Sequence, residues 1–149
     1  MTAKILIVDD DVMLVGMLER ILRTQQYEVA KAYSGQEALA RVRQSKPDLI
    51  LLDIMMPGMD GYEVCRRLKS DSETADIAIL ILSAKGNIDL SRLEEGQFDT
   101  NRQDCLHGFE VGAVDFLSKP VGVKDLIKRI QFMLWSGDGE DCREPNPDN

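Results

Sequence analysis

Apolar residues along this chain fall into two alternating rhythms. Short unbroken runs, Ile5-Leu6-Ile7-Val8, Leu49-Ile50-Leu51-Leu52 and Ile77 to Leu82, have the length and composition of parallel strands buried on both faces. Between the first two, Val12, Val15, Leu18 and Leu22 recur at helical spacing and predict a helix over about 11–25. Tyr27 to Ala32 alternates, as a half-exposed edge strand does. Ser34 and Glu37 have the spacing of a capping box, in which hydroxyl and carboxylate satisfy orphaned backbone N–H groups at a helix start. Lys46-Pro47 closes that helix, because the residue before proline is pushed out of the helical region. A third strand follows over Asp48 to Leu52.

Asp60 and Glu63 repeat the capping-box spacing, with Met59 and Val64 placed for a hydrophobic staple, so a third helix is expected to run to about Lys69. Val114 to Leu117 predicts a fifth strand, followed by Ser118-Lys119-Pro120 and a last helix over about 123–135. Five β/α units with short connections imply right-handed crossovers and a parallel sheet covered on both faces. One connection is long. Ala84 to Ala113 exceeds what a loop and a helix need, and 86–104 has no single period; it reads as a partly helical insertion between the fourth strand and a helix expected over about 102–111. The expected organisation is one domain over 1–135 and an acidic tail, 136–149, rich in Gly, Pro and Asp and expected to be disordered.

Charge changes the picture. The 149 residues carry a net charge of −8, which argues against direct binding to nucleic acid or to an anionic membrane, since both require a basic surface. The tail alone holds Asp138, Glu140, Asp141, Glu144 and Asp148 against Arg143, so the body of the domain is only mildly acidic. Cys65, Cys105 and Cys142 form no CxxC pair and no metal-finger spacing, as expected of a reduced, cytoplasmic protein. The longest purely apolar stretch is six residues, far short of a membrane span, and the N-terminus does not suit a signal peptide.

The candidate chemistry lies at the strand ends. Asp9 and Asp10 follow the first strand, Asp53 the third, Ser83 the fourth and Lys119 the fifth. In an open α/β sheet, ligands bind beyond the carboxyl ends of the strands. Three carboxylates gathered there repel, so either one is protonated or a cation sits among them. A hard divalent ion with oxygen ligands, Mg2+ by preference, is the natural occupant. A carboxylate nucleophile, a metal, a hydroxyl and an ammonium together make a phosphoryl-transfer site.

Four motifs then identify a family. Ile-Leu-Ile-Val-Asp-Asp-Asp (5–11), Leu-Leu-Asp-Ile-Met-Met-Pro-Gly-Met-Asp-Gly (51–61), Leu-Ser-Ala-Lys (82–85) and Phe-Leu-Ser-Lys-Pro (116–120) resemble, in order, those of a response-regulator receiver domain of bacterial two-component signalling, over roughly residues 3–135. The resemblance implies a flavodoxin-like five-stranded parallel sheet of order 2-1-3-4-5 with helices on both faces. It implies that Asp53 is the phosphoacceptor and that Asp10, Asp53 and the backbone carbonyl of Met55 ligate Mg2+, with Asp9 orienting the metal through water. Ser83 would bond a phosphoryl oxygen, Lys119 would pair with the phosphate across a cis Lys-Pro peptide, and Phe116 matches the aromatic switch position. The phosphoryl donor would be a sensor histidine kinase or a phosphotransfer protein. The domain would catalyse only its own phosphorylation and dephosphorylation. Its output would pass through the face made by the helix at 102–111, the strand at 114–117 and the helix at 123–135, by partner docking or a phosphorylation-dependent dimer.

Blander readings stand beside these. Asp11, and less readily Asp10, suit caps of the first helix. Met55 and Met56 suit loop and core filling, although an apolar Met55 near the acceptor also implies slow self-dephosphorylation. Phe116 suits plain core, His107 a surface helix position, and the cysteines no chemistry. A receiver-like scaffold that is never phosphorylated is disfavoured by the retained acids. A haloacid-dehalogenase-type phosphatase is disfavoured because its Asp-x-Asp motif is absent from the first strand. The insertion either covers the output face, makes a docking site of its own, or is a tolerated loop. With no room for an output domain after Trp135, the chain reads as a stand-alone regulator or as the excised receiver of a larger one.

Overall fold

The computed structural model describes residues 2–84 and 114–136. Five strands, β1 (Lys4–Val8), β2 (Glu28–Ala32), β3 (Leu49–Asp53), β4 (Ala78–Ala84) and β5 (Val114–Lys119), form one parallel sheet of order β2-β1-β3-β4-β5. Four helices are described: α1 (Val12–Thr24), α2 (Gly35–Gln44), α3 (Gly61–Lys69) and α4 (Val123–Ser136). The predicted insertion at 86–104, the predicted helix over 102–111 and the tail beyond Ser136 lie outside the described residues, as do His107, Cys105 and Cys142.

Alternation along the strands builds two cores. Leu6, Val8, Ile50, Leu52, Ile79 and Ile81 face Ala38 and Val42 of α2 and Val64 and Leu68 of α3. Their chain neighbours Ile5, Ile7, Leu49, Leu51, Leu80 and Leu82 face Val15, Leu18 and Leu22 of α1 and Leu126, Ile130 and Met133 of α4. Both faces of β1, β3 and β4 are therefore dry, which is why their sequences are continuously apolar. Each such Leu or Ile contributes about 1.5–3 kcal/mol of transfer free energy. The edge strand β2 keeps Glu28 exposed and Ala30 and Lys31 half-buried, in line with its alternating sequence.

Local signals set the helix ends. Asp11 caps α1, its carboxylate accepting from the N–H groups of Met13 and Leu14 at 3.1 and 3.2 Å. Ser34 Oγ accepts from Glu37 N at 3.1 Å while Glu37 Oε1 accepts from Tyr33 N at 2.8 Å, completing the predicted box. Asp60 caps α3 through Glu63 N at 3.0 Å. Three strands run past their predicted ends: β3 takes in Asp53 through Asp53↔Leu82, β4 takes in Ser83 and Ala84, and β5 takes in Ser118 and Lys119, because the ladder continues through Ser83↔Ser118 and Ala84↔Lys119. Loss of the Asp11 cap should cost about 1 kcal/mol; urea unfolding of Asp11→Ala, with an unchanged denaturant slope, checks it.

Candidate functional site

The register brings the sequence-predicted groups to one end of the sheet. Val8 pairs with Leu52, so Asp9, one residue beyond β1, stands beside Asp53 at the end of β3. Asp53 is itself in register with Leu82, one residue before Ser83. Lys119 pairs with Ala84, one residue beyond Ser83. The carboxylates of Asp9, Asp10 and Asp53 offer oxygens that all lie within 4.8 Å of one another.

Lys119 Nζ joins two of them, donating to Asp9 Oδ2 and to Asp53 Oδ1 at 3.0 Å each. Asp9 and Asp53 are buried and Asp10 is exposed. Asp9 Oδ1 also accepts from the N–H of Asp11 at 3.0 Å, so both of its oxygens are engaged. No described residue bonds the Asp10 carboxylate. Ser83 is buried, and its hydroxyl has no hydrogen-bond partner among the described residues. Leaving such a group unmatched costs about 1–3 kcal/mol.

Electrostatics follow from this geometry. Burial raises the Asp53 carboxyl above its ordinary value of 3.8; the Lys119 hydrogen bond opposes that, and the Asp9 and Asp10 charges add to it. For Lys119, burial pulls the pKa down, but the hydrogen bonds it donates to Asp53 and Asp9 outweigh that and the ammonium is held above its ordinary 10.5. Three carboxylates against one ammonium leave an excess of negative charge. A divalent cation with oxygen ligands would offset it, and the ligand atoms present are the hard oxygens that Mg2+ takes.

The loop after β3 carries the rest of the second motif. Met55 is 72% exposed and Met56 only 6%, so Met56 is core and Met55 is not. Gly58 takes φ +78°, a left-handed turn that glycine adopts without strain. Phe116 is half-buried and packs on the α2/α3 side of the sheet; its carbonyl accepts from Arg129 Nη1 at 3.0 Å, and the same nitrogen bonds Asp115 Oδ2 at 2.9 Å. The Lys119-Pro120 peptide is cis. Cys65 is buried, and desolvation pushes its thiol up to about 11, as expected of an inert core cysteine. Among the described residues, no helix is long and apolar enough to cross a membrane.

Sequence reasoning missed two glycines. A Cβ on Gly61 would stand 2.4 Å from the carbonyl oxygen of Asp53, and one on Gly35 would stand 2.9 Å from that of Met59. The available signal was their position: each is the first residue of its helix, where glycine is a poor helix former.

The raised Asp53 pKa has a consequence for stability. An acid whose folded-state pKa lies above its unfolded value favours folding while protonated, and that contribution is lost as pH rises through the folded pKa. Asp53→Asn should therefore match the wild type near about pH 3 and exceed it in stability at pH 7, the gap opening upward from 3.8. Urea midpoints at the two pH values check this; a variant less stable than wild type at pH 7 would contradict it.

The model of the response regulator receiver domain family matches residues 5–131. The chain is 38% identical over 131 residues to the DNA-binding dual master transcriptional regulator RpaA of Synechocystis sp., covering 88% of this chain and 48% of RpaA. It is 41% identical over 133 residues to the response regulator PleD of Caulobacter vibrioides, covering 89% of this chain and 26% of PleD. It thus spans about half of one relative and a quarter of the other. Among solved structures, the chemotaxis protein CheY4 of Vibrio cholerae superposes with a TM-score of 0.71 at 29% identity, over 89% of this chain and 99% of that one. On the family match, the sheet order and the four motifs together, the chain belongs to the response regulator receiver domains of two-component signalling.

Proposed function

We propose that this domain is a Mg2+-dependent switch that takes a phosphoryl group from a phosphohistidine of a sensor kinase or phosphotransfer protein onto Asp53. The observation that carries the reading is the double hydrogen bond of Lys119 to Asp9 and Asp53, 3.0 Å each, with Asp10 alongside. In the transfer, a carboxylate oxygen of Asp53 attacks phosphorus as the P–N bond breaks. The imidazole nitrogen leaves with the electron pair and is protonated.

Mg2+, when bound, neutralises charge on the phosphoryl oxygens. The donor set fits it: Asp10 and Asp53 as carboxylate ligands and the Met55 carbonyl as a third. Asp9, with both oxygens engaged by Asp11 N and Lys119, suits an orienting role through water better than direct ligation. Lys119 would exchange the Asp53 carboxylate for a phosphoryl oxygen. The unmatched Ser83 hydroxyl would take another. Phosphorylation replaces one carboxylate charge by about −1.5 to −2, and it favours an active state only as far as the new oxygens are better bonded there. Phe116, on β5 and joined through its carbonyl to Arg129 of α4, would report the change to the β5–α4 edge, where a protein partner or a second copy would dock.

Asp53→Asn should take up no phosphoryl group from acetyl phosphate and Mg2+ while keeping the wild-type circular dichroism spectrum. Hydroxylamine-sensitive phosphate retained in that variant would overturn the assignment. Met55, apolar, exposed and two residues past the acceptor, cannot orient an attacking water, so the phosphoprotein should be long-lived. Met55→Asn or Met55→Glu should shorten its half-life several-fold, followed as loss of radiolabelled phosphate; an unchanged half-life would remove this role for Met55.

A further inference from the structure

Two helices that flank the acceptor begin with glycine, Gly35 in α2 and Gly61 in α3. Glycine is about 1 kcal/mol worse than alanine in a helix, so glycine at both starts points to a packing constraint. The distances supply one. A Cβ on Gly61 would meet Asp53 O at 2.4 Å and Ile54 Cα at 2.8 Å. A Cβ on Gly35 would meet Met59 O at 2.9 Å, Val64 Cγ2 at 2.9 Å and Met59 Cβ at 3.0 Å. Ordinary contact is 3.4–4 Å, and Gly16 and Gly58 would meet nothing within 4 Å. The start of α2 thus presses on Met59, and two residues later Gly61 presses on the backbone of the acceptor itself. Gly61 N also donates to Ile54 O at 3.0 Å.

The corner before α2 touches the other acid as well. Asp9 N donates to Ala32 O at 3.2 Å, and the Ser34–Glu37 box fixes the helix start three residues further on. Any group added at Gly35 must therefore move either the loop that positions Asp53 or the corner that positions Asp9. We infer that Gly35, which contributes no atom to the acid cluster, is a positioning residue for it: the close contact of α2 with the β3–α3 loop sets the separation of Asp9 and Asp53 on which metal binding and phosphoryl transfer depend. This rests on the reading of Asp53 and Mg2+ given above. Catalytic geometry of this kind tolerates displacements of only about 0.5 Å, the scale of the shift from 2.9 Å to ordinary contact.

The test compares wild type, Gly35→Ala and Val42→Ala in the full chain. Val42 lies two turns further along α2 in the same core, and its truncation lowers stability without adding a group against the loop. Mg2+ affinity is measured by calorimetry, the Mg2+ concentration for half-maximal phosphorylation with acetyl phosphate, and amide exchange at Gly61 by NMR. Gly35→Ala should bind Mg2+ several-fold more weakly, need several-fold more Mg2+, and exchange faster at Gly61; Val42→Ala should match wild type in Mg2+ affinity. Wild-type Mg2+ affinity and Gly61 exchange in Gly35→Ala would overturn the inference, and so would equal weakening by Val42→Ala. If wild type itself neither binds Mg2+ nor accepts phosphate, the proposed function fails, and Gly61 exchange alone then decides the inference. Should Gly35→Ala not fold, Gly35→Ala/Val64→Ala, which removes the methyl at 2.9 Å, is measured by the same criteria.

Discussion

The ammonium of Lys119, 3.0 Å from carboxylates on two different strand ends, is the interaction on which this site depends. Asp9 and Asp53 are buried, and burying two like charges side by side is costly unless a cation lies between them. Lys119 is that cation. Its own burial opposes the charged form, yet the two acids hold it protonated. Asp53, desolvated by burial and beside the charges of Asp9 and Asp10, has a raised pKa despite its bond from Lys119. The centre remains short of positive charge, which is what the proposed divalent ion would supply.

That balance requires the parallel sheet. Alternating core residues fix which face each strand turns to which helix, and the register then fixes what stands at the strand ends. Ser83 and Lys119 reach the site from adjacent strands paired through their last residues. In the proposed reaction both groups that bond the new phosphoryl oxygens therefore move with the same ladder. Phe116 lies on that ladder too, three residues before Lys119, with its carbonyl tied to Arg129 of α4. A change at Lys119 has a short covalent and hydrogen-bonded route to the α4 side of the domain.

Most of the frame was legible because its causes are local. Continuous apolar runs marked β1, β3 and β4, and serine and aspartate caps marked the helix starts. The acids were legible as a group because each follows such a run. The ends of β4 and β5 were misread by two residues: Ser83 and Lys119 do not look like strand residues, and only the pairing with a distant partner makes them so. The unmatched state of the Ser83 hydroxyl and the Arg129–Asp115 contact are likewise tertiary facts. Gly35 was missed for the same reason. Its constraint comes from Met59 and Val64, more than twenty residues away, and no window on the sequence contains both.

Asp9 and Asp10 show how neighbours in sequence acquire different tasks. The strand direction buries the first and exposes the second. Asp9 spends one oxygen on the N–H of Asp11, at the start of α1, and the other on Lys119; it is a fixed member of the frame. Asp10 keeps its carboxylate exposed to solvent. In the proposed metal site Asp10 would be the ligand free to move, and Asp53 the one whose Oδ1 is already held by Lys119. Under the proposed function, the lysine thus leaves the other oxygen of Asp53 as the one available for phosphoryl transfer.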